Sequence, residues 1–132
     1  MTVGPVTRDE ASAGFFAGTA VGEFRLRHCT ACGGSSAPQA DQCEHCGSAA
    51  LDWQAAGGGA AVVSWAVTHS KPAQDGSTNT TVLAIAQLDE GPWWWSQIVG
   101  ADPAAITVGT RLTIGFERAG PDVEAVPVFR LA

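Results

Sequence analysis

The sequence predicts a mainly β protein, in which a short N-terminal helix and a four-cysteine ribbon precede a five-stranded barrel. Two observations carry this prediction. The four cysteines stand as two Cys-x-x-Cys pairs, Cys29 with Cys32 and Cys43 with Cys46. After the glycines at 57–59, five strand-like segments follow with turn signals between them. The predicted regions are 1–23 for the helical segment, 24–56 for the ribbon and 57–132 for the barrel.

The helix is predicted from a start signal and an apolar stripe. Residues Thr7 to Glu10 read as a capping box, in which the Thr7 side chain caps the first turn and Glu10 bonds back. The stripe that follows carries two adjacent aromatic residues, Phe15 and Phe16. Gly14 and Gly18 lower the intrinsic helix propensity, so we expect this helix to need a surface to pack against.

The ribbon is predicted from the spacing of its cysteines. A two-residue gap lets both thiolates of a pair face one point, and the glycine after each pair, Gly33 or Gly47, accepts a left-handed backbone. Before the first pair, Phe24 and Leu26 alternate with charged residues, which is typical of a strand. Two such knuckles give a tetrahedron of four sulfurs that suits structural Zn²⁺. Because four thiolates fill the coordination shell, such a metal stabilises the fold and does not activate water.

Three other uses of four cysteines compete with zinc. Disulfides are disfavoured because no positively charged start and apolar run mark a secretory signal, so we expect a reducing cytoplasm. A redox dithiol is disfavoured because there are two matched pairs and no βαβ pattern around either. Iron in a rubredoxin-like site remains open, since cysteine identity alone does not exclude it. His28 and His45 adjoin ligands but are predicted to be bystanders.

The barrel is predicted from five segments, Ala60 to His69, Thr81 to Leu88, Trp93 to Val99, Arg111 to Arg118 and Val123 to Leu131. In the fourth segment, Leu112, Ile114 and Phe116 alternate with polar residues or glycine, so one face is expected in the core. Residues 102–106 have a helical-turn composition between the third and fourth segments. An OB-fold barrel usually carries its helix at this place, so the OB fold is the predicted architecture.

Composition limits the function. The chain has 132 residues, 45% hydrophobic and 15% charged, enough for one modest core plus the ribbon. Thirteen acidic residues against seven basic ones give a net charge of -6. A nucleic-acid backbone is therefore a disfavoured partner, because such binding depends on clustered Lys and Arg. No apolar stretch reaches the ~18 to 20 residues of a membrane helix, and we expect a protein without a membrane partner.

Two alternative functions remain to be compared. An independent enzyme needs a nucleophile near a base, and the one cluster of suitable residue types is His69, Ser70 and Lys71 with Asp75 nearby. A solvated loop explains the same residues, because Ser and Asp are ordinary turn residues. Single-stranded nucleic-acid binding is the other alternative, since ribbons and OB barrels both support it. The acidic balance disfavours it.

The chain resembles domain-of-unknown-function family thirty-five, in which a rubredoxin-like zinc ribbon precedes an acyl-CoA-associated OB fold. The matching residues are Phe15 and Phe16, "GEFRLRHCTACG" from Gly22, Pro38, "CEHCGS" from Cys43, Trp53, Gly57, Gly59, "LDEG" from Leu88, "VGTRLTIGFE" from Val108 and "PVFRL" from Pro127. The cysteine spacing is common to many ribbons, and its order with the barrel is the specific part. Gln39 departs from the family, where many relatives have a basic residue.

The resemblance implies a non-catalytic accessory subunit or domain. Members of the family accompany thiolase-superfamily enzymes, including acyl-CoA thiolases, acyltransferases and steroid side-chain aldolases, and some are fused to hydratase domains. The implied role is to support such an enzyme in a hetero-oligomer and to complete its acyl-CoA site. Because this chain offers only scattered arginines, we expect it not to hold CoA tightly alone, and the partner to supply most phosphate contacts.

The run Trp93-Trp94-Trp95 is not part of that family pattern. On an extended strand, successive side chains point to opposite faces, so Trp93 and Trp95 share one side and Trp94 takes the other. We predict that at least one indole is exposed in the free chain and buried by the partner, because tryptophan is enriched in binding hot spots. Phe15 and Phe16 are the next candidates for the partner interface.

Overall fold

The computed structural model describes residues 3–132 and contains the predicted helix, ribbon and barrel. The elements are helix α1 (Ala13–Thr19), strands β1 (Arg25–Cys29), β2 (Ser35–Ser36), β3 (Leu51–Ala55), β4 (Gly59–His69), β5 (Thr80–Leu88) and β6 (Trp93–Ile98), a 3₁₀ turn (Pro103–Ala105), and strands β7 (Arg111–Glu117) and β8 (Val126–Leu131). Within the described part, no helix has the length and apolar character needed to cross a membrane.

The ribbon is a three-stranded antiparallel sheet in the order β2-β1-β3. Its central strand carries the predicted alternation, with Leu26 buried and its neighbours Arg25 and Arg27 partly exposed. The register of this sheet places Arg27 opposite Trp53 on β3. The central strand therefore contributes one side to the core and the other to a partly open surface.

The five predicted barrel strands close into a barrel in the order β4-β5-β6-β8-β7. All neighbours are antiparallel except β6 and β8, which pair in parallel at Ile98 and Phe129. The predicted helical turn is the 3₁₀ turn, and the Asp102 side chain caps it by accepting a hydrogen bond from the Ala104 N–H at 3.0 Å. The barrel thus has the predicted OB-fold architecture, including the helical turn expected between its third and fourth strands.

The last strand begins later than predicted, at Val126 instead of Val123. Residues 123 and 124 form hydrogen bonds elsewhere. The Val123 carbonyl accepts a hydrogen bond from the Arg118 side chain, and the Glu124 N–H donates to the Val6 carbonyl at 2.7 Å. These two residues therefore take no part in the sheet, and Glu124 holds the N-terminal segment against the barrel.

The capping box predicted at Thr7 and Glu10 is wrong. Helix α1 begins at Ala13, and the reciprocal hydrogen bonds form between Asp9 and Ser12. The Asp9 N–H donates to Ser12 Oγ at 3.0 Å, and the Ser12 N–H donates to Asp9 Oδ1 at 2.8 Å. Asp9 and Ser12 have the same spacing as the predicted pair but lie two residues closer to the apolar stripe, so they form the turn that leads into the helix.

One continuous hydrophobic core joins the helix, the ribbon and the barrel. Its buried members are Phe15, Phe24, Leu26, Ala60, Val62, Val82, Ala84, Ala86, Leu88, Ile98, Ile106, Leu112 and Phe129. At the junction, the rings of Phe15 and Phe24 lie 5.5 and 5.0 Å from the ring of Trp94. These aromatic contacts fix the ribbon on the barrel, because edge and tilted ring pairs at this separation are favourable.

Candidate metal centre and apolar groove

The four cysteines converge at one end of the ribbon. Cys29 ends β1, Cys32 lies in the turn after it, and the second pair lies in the loop between β2 and β3. Each pair is closed by its glycine in the left-handed region, with φ of 78° at Gly33 and 77° at Gly47. A side chain is strained in this conformation, so the glycines serve the turn as predicted.

The arrangement of the sulfurs fits a tetrahedral metal ion. All four Sγ atoms lie within 4.8 Å of one another, and none forms a disulfide. The distance from Cys29 Sγ to Cys46 Sγ is 3.6 Å, and the distance from Cys32 Sγ to Cys43 Sγ is also 3.6 Å. A tetrahedron with metal–sulfur bonds of ~2.3 Å has sulfur–sulfur edges of ~3.8 Å. The four sulfurs are therefore close enough together to hold a metal ion.

Backbone amides favour the thiolate form in part of this site. The Cys46 and His45 N–H groups lower the pKa of Cys43 to about 6. At Cys32 the Gly34 N–H acts in the same direction, but hydrogen bonds with the Cys43, Cys29 and Cys46 thiols outweigh it and raise the pKa to about 12. Without a metal, Cys43 therefore ionises more readily than Cys32.

The two neighbouring histidines are not among the converging ligands. His45 makes a hydrogen bond of 2.9 Å through Nε2 with the Ser35 carbonyl, which ties the second knuckle to β2. His28 lies on β1 opposite Asp52, and its buried Nδ1 has no hydrogen-bond partner in the described chain. The candidate ligand group consists of the four cysteine sulfurs and includes neither histidine.

The candidate catalytic residues lie at the exposed end of β4, where His69 is the last residue, and in the connection from β4 to β5. Ser70 Oγ donates to the Lys71 carbonyl and accepts from the Asn79 N–H, so it closes the loop. Asp75 accepts from Ser77, and His69 Nδ1 lies 3.4 Å from Thr80 Oγ1. Each of these side chains bonds with a local turn or strand neighbour, and these bonds do not join His69, Ser70 and Asp75 into a relay.

The tryptophan run alternates across β6 as the sequence predicts. Trp93 and Trp95 are 55% and 68% exposed, and Trp94 points to the other side and packs against the core. Across the sheet, Trp95 pairs with the half-buried Ile85. We call the outer side of β5 and β6, formed by Leu83, Ile85, Trp93 and Trp95, the tryptophan face. It is an apolar surface of the kind that marks interaction sites.

A groove of about 850 Å³, here called the apolar groove, lies between the N-terminal segment, α1, the ribbon and β6. Its aromatic and apolar lining includes Phe15, Phe16, Trp53, Trp94, Trp95 and Val126. A smaller hollow of about 420 Å³ adjoins Ile85 and the three tryptophans, and it shares Gln39, Trp94 and Trp95 with the groove. The groove and the tryptophan face are therefore continuous.

The structure gives the five predicted interface residues different positions. Trp93 and Trp95 are exposed, whereas Phe15 is only 6% exposed and belongs to the core. Phe16 is half-buried beside it and lines the groove. The sequence did not predict the groove itself, because its walls are brought together from distant parts of the chain. Arg27 on β1 lines the groove, and no role was predicted for it from the sequence.

Comparisons with known proteins agree with this architecture. The family described as ChsH2, C-terminal OB-fold domain, matches residues 53–117. A probable enoyl-CoA hydratase alpha subunit from Thermomonospora curvata is 32% identical over 107 residues, which are 81% of this chain and 33% of the relative. The chain thus spans about a third of the length of that curated relative.

Two solved structures extend the likeness to the whole chain. The structure of the Ltp2-ChsH2(DUF35) aldolase has 28% identity and a TM-score of 0.77, with 97% of this chain and 98% of that chain covered. A DUF35 protein of unknown function from Sulfolobus solfataricus has 16% identity and a TM-score of 0.61, with 93% and 86% covered, and shows the fold alone. The molecule is a four-cysteine ribbon joined to an OB-fold barrel. It resembles the DUF35 proteins over both parts, which confirms the resemblance found in the sequence.

Proposed function

We propose that this chain is a non-catalytic accessory subunit or domain of a thiolase-superfamily acyl-CoA enzyme. It binds and supports the partner in a hetero-oligomer, helps to form the acyl-CoA site, and carries a structural zinc on Cys29, Cys32, Cys43 and Cys46. The partner is a thiolase, an acyltransferase or a steroid side-chain aldolase. The partner supplies most of the contacts to the CoA phosphates, and the cytoplasm is the proposed compartment.

The observation that carries this proposal is the likeness to the DUF35 chain of the Ltp2-ChsH2 aldolase. That likeness extends over nearly the full length of both chains. The name Ltp2-ChsH2 joins two components of one aldolase, so the similar chain acts together with another protein. The relative from Thermomonospora curvata is named as one subunit of a hydratase, which supports an acyl-CoA context for the same architecture.

The geometry supports an accessory role in two ways. A four-thiolate site leaves no open coordination position, so its metal would stabilise the ribbon and not take part in chemistry. Of the candidate catalytic residues, Ser70 and Asp75 form hydrogen bonds within the exposed loop after β4. The tryptophan face, in contrast, offers large exposed apolar side chains. We propose Trp93 and Trp95 as the centre of the partner interface, with Trp94, Phe15 and Phe16 supporting it from behind.

The test is direct binding between this chain and a purified thiolase-superfamily enzyme from its own source. We expect a complex of defined stoichiometry in analytical ultracentrifugation and a higher melting temperature of the enzyme in the complex. Titration of the isolated chain with CoA should show no submicromolar binding. Tight CoA binding by the chain alone, or separate sedimentation of the two proteins at micromolar concentration, would contradict the proposal.

A further inference from the structure

Arg27 lies in the apolar groove and is poorly satisfied by its own chain. A guanidinium has five N–H donors, and that of Arg27 makes one long hydrogen bond, from Nη2 to the Leu51 carbonyl at 3.5 Å. Its Nε is buried and has no hydrogen-bond partner among residues 3–132. Carboxylates pair with four other arginines, Arg8, Arg25, Arg111 and Arg130. No ion pair of Arg27 occurs in the described part of the chain.

The guanidinium is held in place by an aromatic ring. Its central carbon lies 4.3 Å from the centroid of the Trp53 ring, in the geometry of a cation–π contact. Trp53 lines the groove together with Arg27. The cation is therefore presented in a fixed position at the wall of an apolar space, where a charge without a counter-ion is costly.

The other charged groups of the groove do not neutralise Arg27. Asp9 is engaged by Ser12, whose Oγ donates to Asp9 Oδ1 at 2.7 Å. Asp41 is exposed at the rim of the groove. A carboxylate from outside can complete the site with charge-assisted hydrogen bonds, since the guanidinium fork matches carboxylate geometry.

The lining identifies the kind of molecule that brings this carboxylate. The groove continues without a break into the tryptophan face through Trp95 and Gln39. A protein that covers Trp93 and Trp95 therefore lies directly beside the groove. A small free anion would leave the aromatic walls uncovered, whereas a peptide segment with apolar side chains fills them.

We propose that a segment of the thiolase-superfamily partner enters the apolar groove, with apolar side chains against the aromatic wall and one Asp or Glu carboxylate on Arg27. This inference rests on the proposed function and names the chemistry of its interface. Arg27 is a recognition residue in this role.

The first test measures the affinity of the purified partner for matched variants by isothermal titration calorimetry. Arg27→Gln should weaken binding at least tenfold and reduce the salt dependence of the affinity, while Arg27→Lys should retain part of it. Arg118→Gln is the control, because Arg118 forms no carboxylate salt bridge within residues 3–132, bonds the Val123 carbonyl and does not line the groove. Equal affinity of wild type and Arg27→Gln would overturn the inference while the proposed function stands.

A second measurement keeps the inference testable if Arg27→Gln is unstable. Arg27→Lys introduces a primary amine that a carbodiimide can couple to a carboxylate in direct contact. Mass spectrometry should find the introduced amine joined to an Asp or Glu of the partner, and wild type should lack this product. Coupling only to Asp9 or Asp41, or to a second copy of this chain, would contradict the inference.

The failure of the proposed function has a different signature. A wild-type chain that does not bind the partner would overturn the proposed function and this inference together.

Titration of the isolated chain with octanoate tests the alternative that the groove binds a small carboxylate ligand. Saturable quenching of tryptophan fluorescence that depends on Arg27 and competes with the partner would identify a small-molecule site instead of a docking site, and would overturn the inference.

Discussion

The indole of Trp53 lies directly against the backbone of Gly14, so that a Cβ atom at Gly14 would collide with Trp53 Nε1. Gly18 is in a similar position, where a Cβ would lie 2.6 Å from Arg25 Cδ. The two glycines weaken the helix intrinsically, but they allow α1 to approach the ribbon closely. Close approach brings Phe15 and Phe16 to the junction, where the core and the groove are built.

Gly14→Ala should therefore destabilise the protein, although alanine is the better helix former by about 1 kcal/mol. The added methyl group must displace Trp53, and overpacking of this kind costs about 1 to 3 kcal/mol. Urea denaturation followed by tryptophan fluorescence measures the difference. Gly120→Ala is the control, because a Cβ there meets nothing within 4 Å. A more stable Gly14→Ala protein would show that the helix is not pressed against the ribbon.

The purified chain should carry about one zinc ion per molecule and little iron. Cys32→Ser should release the metal and unfold the ribbon, because structural zinc supplies roughly 10 kcal/mol of folding free energy in small domains. Metal analysis and circular dichroism check both expectations. Ala31→Ser is the matched control, since Ala31 is an exposed residue of the same knuckle. Iron at unit stoichiometry, or full metal content in the cysteine variant, would refute this prediction.

The three adjacent tryptophans should behave differently. Trp95→Ala and Trp93→Ala should weaken the complex with the partner by ~2 kcal/mol or more and leave the free chain folded, because these indoles are exposed. Trp94→Ala should cost about 3 kcal/mol of folding free energy, because it removes packing against Phe15 and Phe24. Calorimetric affinities and urea denaturation of all three variants separate the two effects.

Unchanged affinity in both exposed variants would place the interface elsewhere. A loss of affinity that is fully explained by unfolding of these variants would lead to the same conclusion. In that event Phe16, which lines the groove from α1, is the next residue to replace.

The Arg8–Glu124 pair should make stability depend on pH. Arg8 donates from Nε and Nη2 to the two oxygens of Glu124, at 2.7 and 2.9 Å, and this pair lowers the pKa of Glu124. Because the folded pKa lies below the unfolded value, the stabilisation is present above the unfolded pKa and is lost as the pH falls through the folded pKa.

Thermal melts of wild type and Glu124→Gln at neutral and acidic pH check this expectation. Wild type should have the higher melting temperature at neutral pH, and the difference should shrink as the pH falls through the folded pKa of Glu124. Glu10→Gln serves as the control, because Glu10 is exposed on the same N-terminal segment. A difference that stays constant into acid would show that the carboxylate charge does not carry the effect.

Local chemistry explains which features were predictable from the sequence. The knuckles follow from the spacing of four cysteines and two glycines, and the barrel strands follow from alternation, as in Leu112 and Ile114. Strand and helix ends were less predictable, because they depend on competition between neighbouring groups. Asp9 and Ser12 form the reciprocal bonds predicted for Thr7 and Glu10, and Glu124 bonds the N-terminal segment in place of the sheet.

The groove was not predictable, because no local pattern reports which distant residues meet. Phe16, Arg27, Trp53 and Trp94 come from four different elements, and they line one groove only when α1 and the ribbon pack on the barrel. The shared side of Trp93 and Trp95 was predictable, because it follows from the two-residue period of a strand. The structure shows that this side is the exposed one.

The role of accessory subunit is tested most directly by the turnover rate of the purified thiolase-superfamily partner, measured with increasing amounts of this chain. We expect the rate, or the half-life of the partner's activity, to rise and then saturate, and we expect no turnover by the chain alone. Turnover by the isolated chain that is lost on His69→Ala would contradict this role. A partner whose rate and stability do not change at saturating amounts of the chain would contradict it equally.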